Sequence, residues 1–161
     1  MAQDWDNFAV IAGSAAGALT GLLFVAVSLN RDRIAGHPAL RAQAGQTLVL
    51  FLLPLLMSIM LVIPRTSAVS LGAEFVVLAA VAATVLTAIA HGGRNQPAGD
   101  DSAARLARLI DRVSPNLLTM LLIVVGGCLQ IAGDDGLYWV AAAAVLCLIG
   151  GVVNAWLFLT R

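Results

Sequence analysis

The chain has 161 residues, of which 60% are hydrophobic and 11% are charged, and its formal net charge is zero. Soluble domains carry about 25% charged residues, so this composition excludes an ordinary soluble fold. Several membrane spans would use most of a chain of this length, so we expect no separate catalytic domain outside the membrane.

The charged residues leave five long segments without charge. These segments comprise residues 7–30, 42–64, 75–93, 113–133 and 136–160. A transmembrane helix needs about 20 apolar residues to cross about 30 Å of hydrocarbon. The sequence therefore predicts an all-α integral membrane bundle of five transmembrane helices in a single domain. The spans are expected at about residues 8–29, 43–63, 70–91, 115–132 and 137–159.

Two predicted spans carry stripes of small residues. In the first span the stripe comprises Gly13, Gly17 and Gly21, which form two overlapping G-x-x-x-G steps. In the fifth span it comprises Ala143, Cys147, Gly151 and Ala155. Small side chains let a second membrane helix approach closely, which matters because lipid supplies no hydrophobic force between helices. These two helices are the expected contacts of an oligomer, although a partner helix in the same chain fits the glycine stripe equally well.

A polar face lies next to the glycine stripe of the first span. Ser14 and Ser28 fall on this face, and Asn30 follows at its end. In an oligomer these groups could line a narrow path of hydroxyls and carbonyls. The alternative is that each hydroxyl bonds a carbonyl of its own helix, which needs no pore.

The second and third spans contain fewer residues that indicate a local structure or a function. Pro38 predicts the start of the second helix, and Pro54 inside it is expected to bend the span. In the third span, Thr84, Thr87 and His91 share one face, and His91 would lie at the inner end. A titratable group there could relay protons, whereas a histidine at the membrane interface needs no special role.

A short amphipathic helix is predicted before the fourth span, over about residues 102–113. Arg105, Arg108 and Arg112 lie on one face of it, opposite an apolar face. Such a helix favours a position on anionic lipid at the cytoplasmic surface. The alternative is a solvated connector. We expect the fourth span to restart at Ser114-Pro115 and a tight polar turn over Gly133–Gly136 to lead into the fifth.

The arginines predict the orientation. If the N-terminus lies outside, eight of the nine arginines face the cytoplasm and only Arg65 lies outside. Cytoplasmic loops of membrane proteins are enriched in arginine and lysine, so we expect an extracytoplasmic N-terminus and a cytoplasmic C-terminus. Asp134 and Asp135 then lie at the outer surface, where they would concentrate cations.

Several functions lack the residues that they require. No charged residue lies in the middle of a predicted span, which argues against ion-coupled transport and against a voltage sensor. Cys128 and Cys147 stand alone, and two histidines are too few for a convincing metal or haem centre. We therefore expect no enzyme, no cofactor, no metal and no nucleic-acid partner.

The N-terminal quarter of the chain resembles one group of proteins. Trp5-Asp6-Asn7-Phe8, the small-residue run at 15–30, Arg33-Ile34 and Pro38-Ala39-Leu40 look like the opening of a family of small, uncharacterised, multi-pass bacterial membrane proteins. The resemblance covers about residues 5–40. It implies a location in the bacterial inner membrane and no particular function.

These observations leave two functions open. The first is a small membrane protein, homo-oligomeric, that forms a passive channel for ions or small solutes. The second is an accessory or regulatory subunit that packs against a larger membrane complex through the glycine face.

Overall fold

The computed structural model describes the backbone of residues 2–63, 67–92 and 102–160, and the side chains of residues 5–63, 67–90 and 116–157. All regular secondary structure in the described residues is helical. The helices are α1 (Ala2–Leu29), α2 (Arg31–Gly36), α3 (Pro38–Val62), α4 (Ala68–Gly92), α5 (Ser102–Ala132) and α6 (Leu137–Thr160). The five predicted spans fall in α1, α3, α4, α5 and α6.

Within the described residues, four helices are long and apolar enough to cross a membrane. They are Trp5–Leu29, Pro38–Val62, Ala68–Ala90 and Leu137–Leu157. The apolar part of α5, Asn116–Ala132, is shorter. The predicted all-α bundle with several apolar helices is confirmed, whereas the number of five spans stays a prediction.

Four helices form a closed ring. Helix α3 packs against α4 and α6, and α5 packs against the same two helices from the opposite side. Helix α1 lies outside this ring, on α3, and touches α6 over a small area. The ring interior is apolar, and its largest fully buried side chains include Phe75, Leu53, Met57 and Ile123.

Neighbouring helices run in opposite directions, so the bundle has two ends that differ in charge. The aspartate end contains the N-terminus of α1 and the loop between α5 and α6, with Asp6, Asp134 and Asp135. Here the rings of Trp5 and Tyr138 make an edge contact with their centroids 5.1 Å apart. The arginine end contains α2 and the start of α3, with exposed Arg31, Arg33 and Arg41.

Glycines bring the helices together near the aspartate end. A methyl group on Gly72 of α4 would lie 2.5 Å from the carbonyl oxygen of Gly127 in α5. A methyl group on Gly126 would lie 2.8 Å from the carbonyl oxygen of Gly136, at the start of α6. The two adjacent glycines of α5 therefore contact two different helices, Gly127 contacting α4 and Gly126 contacting the start of α6. At both contacts the backbones of the two helices touch.

The predicted turn between α5 and α6 is confirmed. Helix α5 ends in a Schellman motif, in which the amide of Gly133 donates to the carbonyl of Gln130 and the amide of Asp134 donates to that of Leu129. Gly133 has φ 90°, a left-handed conformation that glycine adopts without a steric penalty.

The short helix α2 was not predicted. It begins after Asn30, whose φ of −109° and ψ of 23° depart from helical values. The side-chain amide of Asn30 donates to the carbonyl of Ala26 at 2.9 Å. Ile34 of α2 is buried against Ala44, with Val27 packed beside them. A single large apolar residue in six, Ile34, is too weak a periodic signal to be read from sequence.

The sequence predicts that the short amphipathic helix and the fourth span are separate helices, and this prediction is wrong. One helix runs from Ser102 to Ala132 through Ser114-Pro115, so the predicted amphipathic segment and the start of the fourth span are continuous. Proline removes one backbone hydrogen bond, but its fixed φ of about −65° is compatible with a helix. Pro54 shows the same behaviour, because α3 continues through it.

Candidate functional site: the surfaces of α1 and the groove beside it

Helix α1 packs on α3 through alanines rather than through its whole glycine stripe. Ala9, Ala12, Ala16 and Leu23 form the buried face of α1, and Ala16 is completely inaccessible. Of the three stripe glycines only Gly13 contacts the chain, since a methyl group there would lie 3.0 Å from Cβ of Ser58. The alanine methyl groups already fill the space between the two helices.

The other two stripe glycines face away from the bundle. A methyl group on Gly17 or on Gly21 would meet nothing within 4 Å. Gly21 is exposed, as are Ser14 and Ser28 on the same side of the helix. We call Ser14, Gly17, Gly21 and Ser28 the small face of α1. No described part of this chain covers it.

Two polar side chains on or beside the small face, Ser28 and Asn30, donate hydrogen bonds to carbonyls of α1 itself. The hydroxyl of Ser28 donates to the carbonyl of Val25 at 2.8 Å, and Asn30 bonds Ala26 as described above. For Ser28 the simpler interpretation, a bond to its own helix, is confirmed. Such a hydroxyl still offers its oxygen as an acceptor.

The predicted polar face of α4 lies elsewhere. Thr84 and Thr87 are exposed, and their hydroxyls donate to the carbonyls of Val81 and Thr84 at 2.7 and 2.8 Å. In the described part of the chain α1 and α4 do not touch, so the two polar faces do not meet within one copy. The side chain of His91 lies outside the described residues, as do those of Arg105, Arg108 and Arg112.

The small-residue stripe of α6 is used inside the chain. Ala143 and Cys147 are completely buried, and a methyl group on Gly151 would overlap the ring of Phe51. Ala143, Cys147 and Gly151 therefore pack against the other helices of their own chain, and a contact of this stripe with a second copy stays a prediction. Ala155 is the only member with partial exposure.

An apolar groove opens between α1 and α6 toward the arginine end. The two helices meet at the aspartate end and diverge toward the other end, where Phe51 of α3 forms the floor. The groove encloses about 220 Å³. Its lining comprises Leu19, Leu22, Leu23, Ala26, Phe51, Val152, Ala155 and Trp156. Sequence reasoning missed this groove, because its shape depends on the angle between two helices that are distant in the chain.

A hydrogen-bonded cluster joins α3 to α6 near the same end. The amide of Asn154 donates to the hydroxyl of Thr47 at 2.7 Å, and the amide of Gln43 donates to Oδ1 of Asn154 at 3.2 Å. Thr47 is fully buried and donates in turn to the carbonyl of Gln43 at 2.9 Å. Asn154 therefore bonds two residues of another helix.

Replacing Asn154 by leucine is expected to lower the free energy of unfolding by about 1 kcal/mol, because Thr47 and Gln43 would lose partners in an apolar interior. Thermal unfolding in mild detergent measures this change. Thr84→Val is the matched control, since that hydroxyl is exposed and bonds only its own helix. Equal stability of Asn154→Leu and the unmodified protein would show that the cluster contributes nothing.

Asp134 and Asp135 are exposed in the turn between α5 and α6. Their predicted role, to concentrate cations at the outer surface, requires this exposure. Cys128 is exposed and Cys147 is buried.

Comparison of the chain with protein-family models, with curated proteins and with solved structures found no match. The family resemblance over residues 5–40 therefore stays a prediction.

Proposed function

We propose that the protein spans a bacterial inner membrane five times, with the aspartate end outside and the arginine end in the cytoplasm. The antiparallel contacts support this topology, since Gly13 pairs with Ser58 and Gly72 with Gly127. The 17 residues Asn116–Ala132 measure about 25 Å along a helix, and the charge-free sequence begins three residues earlier, at Val113. The excess of arginine supports the orientation.

We further propose that copies of the chain assemble through α1. The observation that carries this proposal is the small face, where a methyl group on Gly17 or Gly21 would meet no atom within 4 Å. Glycines in a membrane helix have little use against lipid, whereas they let a second helix approach closely. In the ring of α3, α4, α5 and α6, Gly72, Gly126, Gly127 and Gly151 lie in contacts between helices, whereas Gly17 and Gly21 of α1 contact no helix of their own chain through an added methyl group.

The proposed activity of this assembly is passive permeation of small cations. In a ring of copies with the small face toward the axis, Ser14 and Ser28 would line a path without a charge at its centre. Asp134 and Asp135 at the aspartate end would concentrate cations near its mouth. A path of this kind needs neither a cofactor nor a coupling site.

A second candidate is an accessory subunit that binds a larger membrane complex through the same face. The residues beside the small face favour it, because Val10 and Phe24 are 61% and 72% exposed and entirely apolar. The donor of Ser28 is also already used. An apolar rim around small residues suits another helix better than water.

Replacing Gly17 by leucine is expected to abolish self-association while leaving the single copy folded, because the first added carbon has no atom of its own chain within 4 Å. Particle mass in mild detergent and thermal unfolding measure the two effects separately. Gly150→Leu is the matched control, since Gly150 of α6 also has no atom within 4 Å of an added methyl group. An oligomer of Gly17→Leu equal to that of the unmodified protein would exclude assembly through α1.

Permeation has its own test, ion flux into liposomes. We expect the reconstituted protein to pass small cations in preference to anions. The double substitution Asp134→Asn with Asp135→Asn should reduce that preference most at low salt, where charges are screened least. Flux equal to that of protein-free liposomes, with the oligomer intact, would reject the channel and leave the accessory subunit.

A further inference from the structure

We propose that the apolar belt of the bundle, the outer surface between the levels of Tyr138 and Trp156, is about 26 Å thick and fits a bilayer of short-chain phospholipids. A typical hydrocarbon core measures about 30 Å. The partner of this surface is therefore phospholipid with acyl chains near the length of palmitoleate. The inference rests on the proposed membrane topology, and it does not depend on assembly or permeation.

Helix α6 carries an aromatic ring at each border of the belt. Tyr138 near its start and Trp156 near its end are 67% and 68% exposed. They are 18 residues apart, which is five helical turns, so both belong to the same side of the helix, about 27 Å apart. Tryptophan and tyrosine are enriched at the two interfaces of a membrane with water. The two rings therefore mark both borders of the belt on one helix.

The neighbouring helices have apolar segments of the same length. On α3, no charged or amide side chain lies between Gln46 and Ile63, and on α4 none lies between Glu74 and His91. The residues of each pair are 17 positions apart, about 26 Å along a helix. The apolar part of α5, Asn116–Ala132, measures about 25 Å. Charged side chains are costly in hydrocarbon, so these residues limit the thickness that each helix can cross.

Contacts at the aspartate end place the borders of three helices on one level. The ring of Trp5 in α1 meets that of Tyr138 in α6. Gly72, two residues before Glu74, contacts α5 beside the glycine that contacts the start of α6. Trp5, Glu74 and Tyr138 therefore lie within about one helical turn of each other along the bundle.

Contacts at the arginine end align the inner borders in the same way. Asn154 of α6 donates to Thr47 of α3 at 2.7 Å. A methyl group on Gly45 of α3 would lie 3.4 Å from the side chain of Ile89 in α4. Each of these four residues is within two positions of the border residue of its own helix. The belt therefore has a similar thickness on α3, α4 and α6.

The helices themselves are longer than the belt. The first turns of α3 extend beyond it with Arg41 and Gln43, which precede the border. Helix α1 measures about 33 Å from Trp5 to Val27, which packs against Ala44 at the inner level. It diverges from α6 toward this end, and an inclined helix needs more residues to cross the same thickness.

A bilayer thicker than the belt would surround Gln46 and Glu74 with hydrocarbon, unless it became thinner beside the protein. Either change has a cost that rises with each ångström of mismatch. Phospholipids with shorter chains should therefore bind the surface of the protein more tightly than those with long chains.

Lipid competition tests the proposal. The protein is reconstituted with a brominated phosphatidylcholine, which quenches the fluorescence of its three tryptophans. Phosphatidylcholines with two myristoleoyl, palmitoleoyl, oleoyl, eicosenoyl or erucoyl chains then compete with the quencher, and the recovered fluorescence gives their relative affinities. We expect the highest affinity for the dipalmitoleoyl lipid and an affinity roughly three-fold lower for the dierucoyl lipid.

The results separate the belt from the topology on which it rests. Equal affinities for all chain lengths, or affinities that rise toward the longest chains, would overturn the thin belt. Absence of quenching in every bilayer would show that the chain does not lie in the membrane, and would refute the topology as well.

A pair of variants locates the outer border. Glu74→Leu extends the apolar segment of α4 and should raise the affinity for the dieicosenoyl lipid relative to the dipalmitoleoyl lipid. Asp134→Leu removes the same charge from the exposed turn beyond the belt and should leave this ratio unchanged. Equal ratios in Glu74→Leu and Asp134→Leu would contradict a border at Glu74. If Glu74→Leu fails to fold, Gln46→Leu extends the belt at the arginine end and must change the ratio in the same direction.

Discussion

Replacing Gly136 by alanine is expected to lower the free energy of unfolding by about 2–3 kcal/mol, the upper part of the range for overpacked positions. An added methyl group would overlap the carbonyl oxygen of Gly126 and would lie 2.7 Å from the backbone nitrogen of Gln130. Backbone atoms cannot rotate away, so α6 would have to move off α5. For a chain of this length the midpoint of thermal unfolding should fall by roughly 4–12 °C.

Gly72→Ala tests the same kind of contact a second time, and Gly150→Ala is the control. The methyl group at Gly72 would meet the carbonyl oxygen of Gly127 at 2.5 Å, whereas that at Gly150 would meet nothing within 4 Å. Alanine favours a helix over glycine by about 1 kcal/mol, so Gly150→Ala should be neutral or stabilising. Unchanged midpoints for both Gly136→Ala and Gly72→Ala would show that these helices do not make the described contacts.

The positions of the apolar helices could be predicted because the signal is local. A charged side chain at the centre of a membrane is costly wherever it lies, so charge-free segments mark the spans. The runs at 7–30 and 42–64 contain most of α1 and α3, and the glycines and aspartates at 133–136 form the turn that their composition indicates. None of these features depends on residues far away in the chain.

The rotation of each helix could not be predicted, because it depends on partners. The spacing of Gly13, Gly17 and Gly21 indicates a face suited to close packing, but α1 turns its alanines toward α3 and only Gly13 into the contact. Gly126 and Gly127 escaped notice for a related reason. They are adjacent, about 100° apart on the helix, and each serves a different neighbour, so no four-residue spacing reveals them.

The groove and the polar cluster also depend on contacts between distant residues. Asn154 is a polar residue in an apolar span, but its partner Thr47 is one of several hydroxyls that sequence alone cannot distinguish. Phe51 lies against Gly151 and also lines the groove between α1 and α6, and no local pattern around residue 51 reveals either contact.

Replacing Gly151 by alanine is expected to lower the free energy of unfolding by about 1–3 kcal/mol, since the new methyl group would overlap the buried ring of Phe51 and the ring would have to move. Phe51→Ala alone should cost more, about 3–5 kcal/mol, because it leaves a cavity. A smaller residue at position 51 makes room for the methyl group, so Gly151→Ala should cost less in a Phe51→Leu background than in the unmodified protein.

Chemical or thermal unfolding of Gly151→Ala, of Phe51→Leu and of the variant with both substitutions measures this coupling. Gly150→Ala serves as the control, because its methyl group meets nothing within 4 Å. Residues in contact show coupling energies of about 0.5–3 kcal/mol, whereas independent sites add within about 0.5 kcal/mol. Additive costs at Gly151 and Phe51 would contradict the contact.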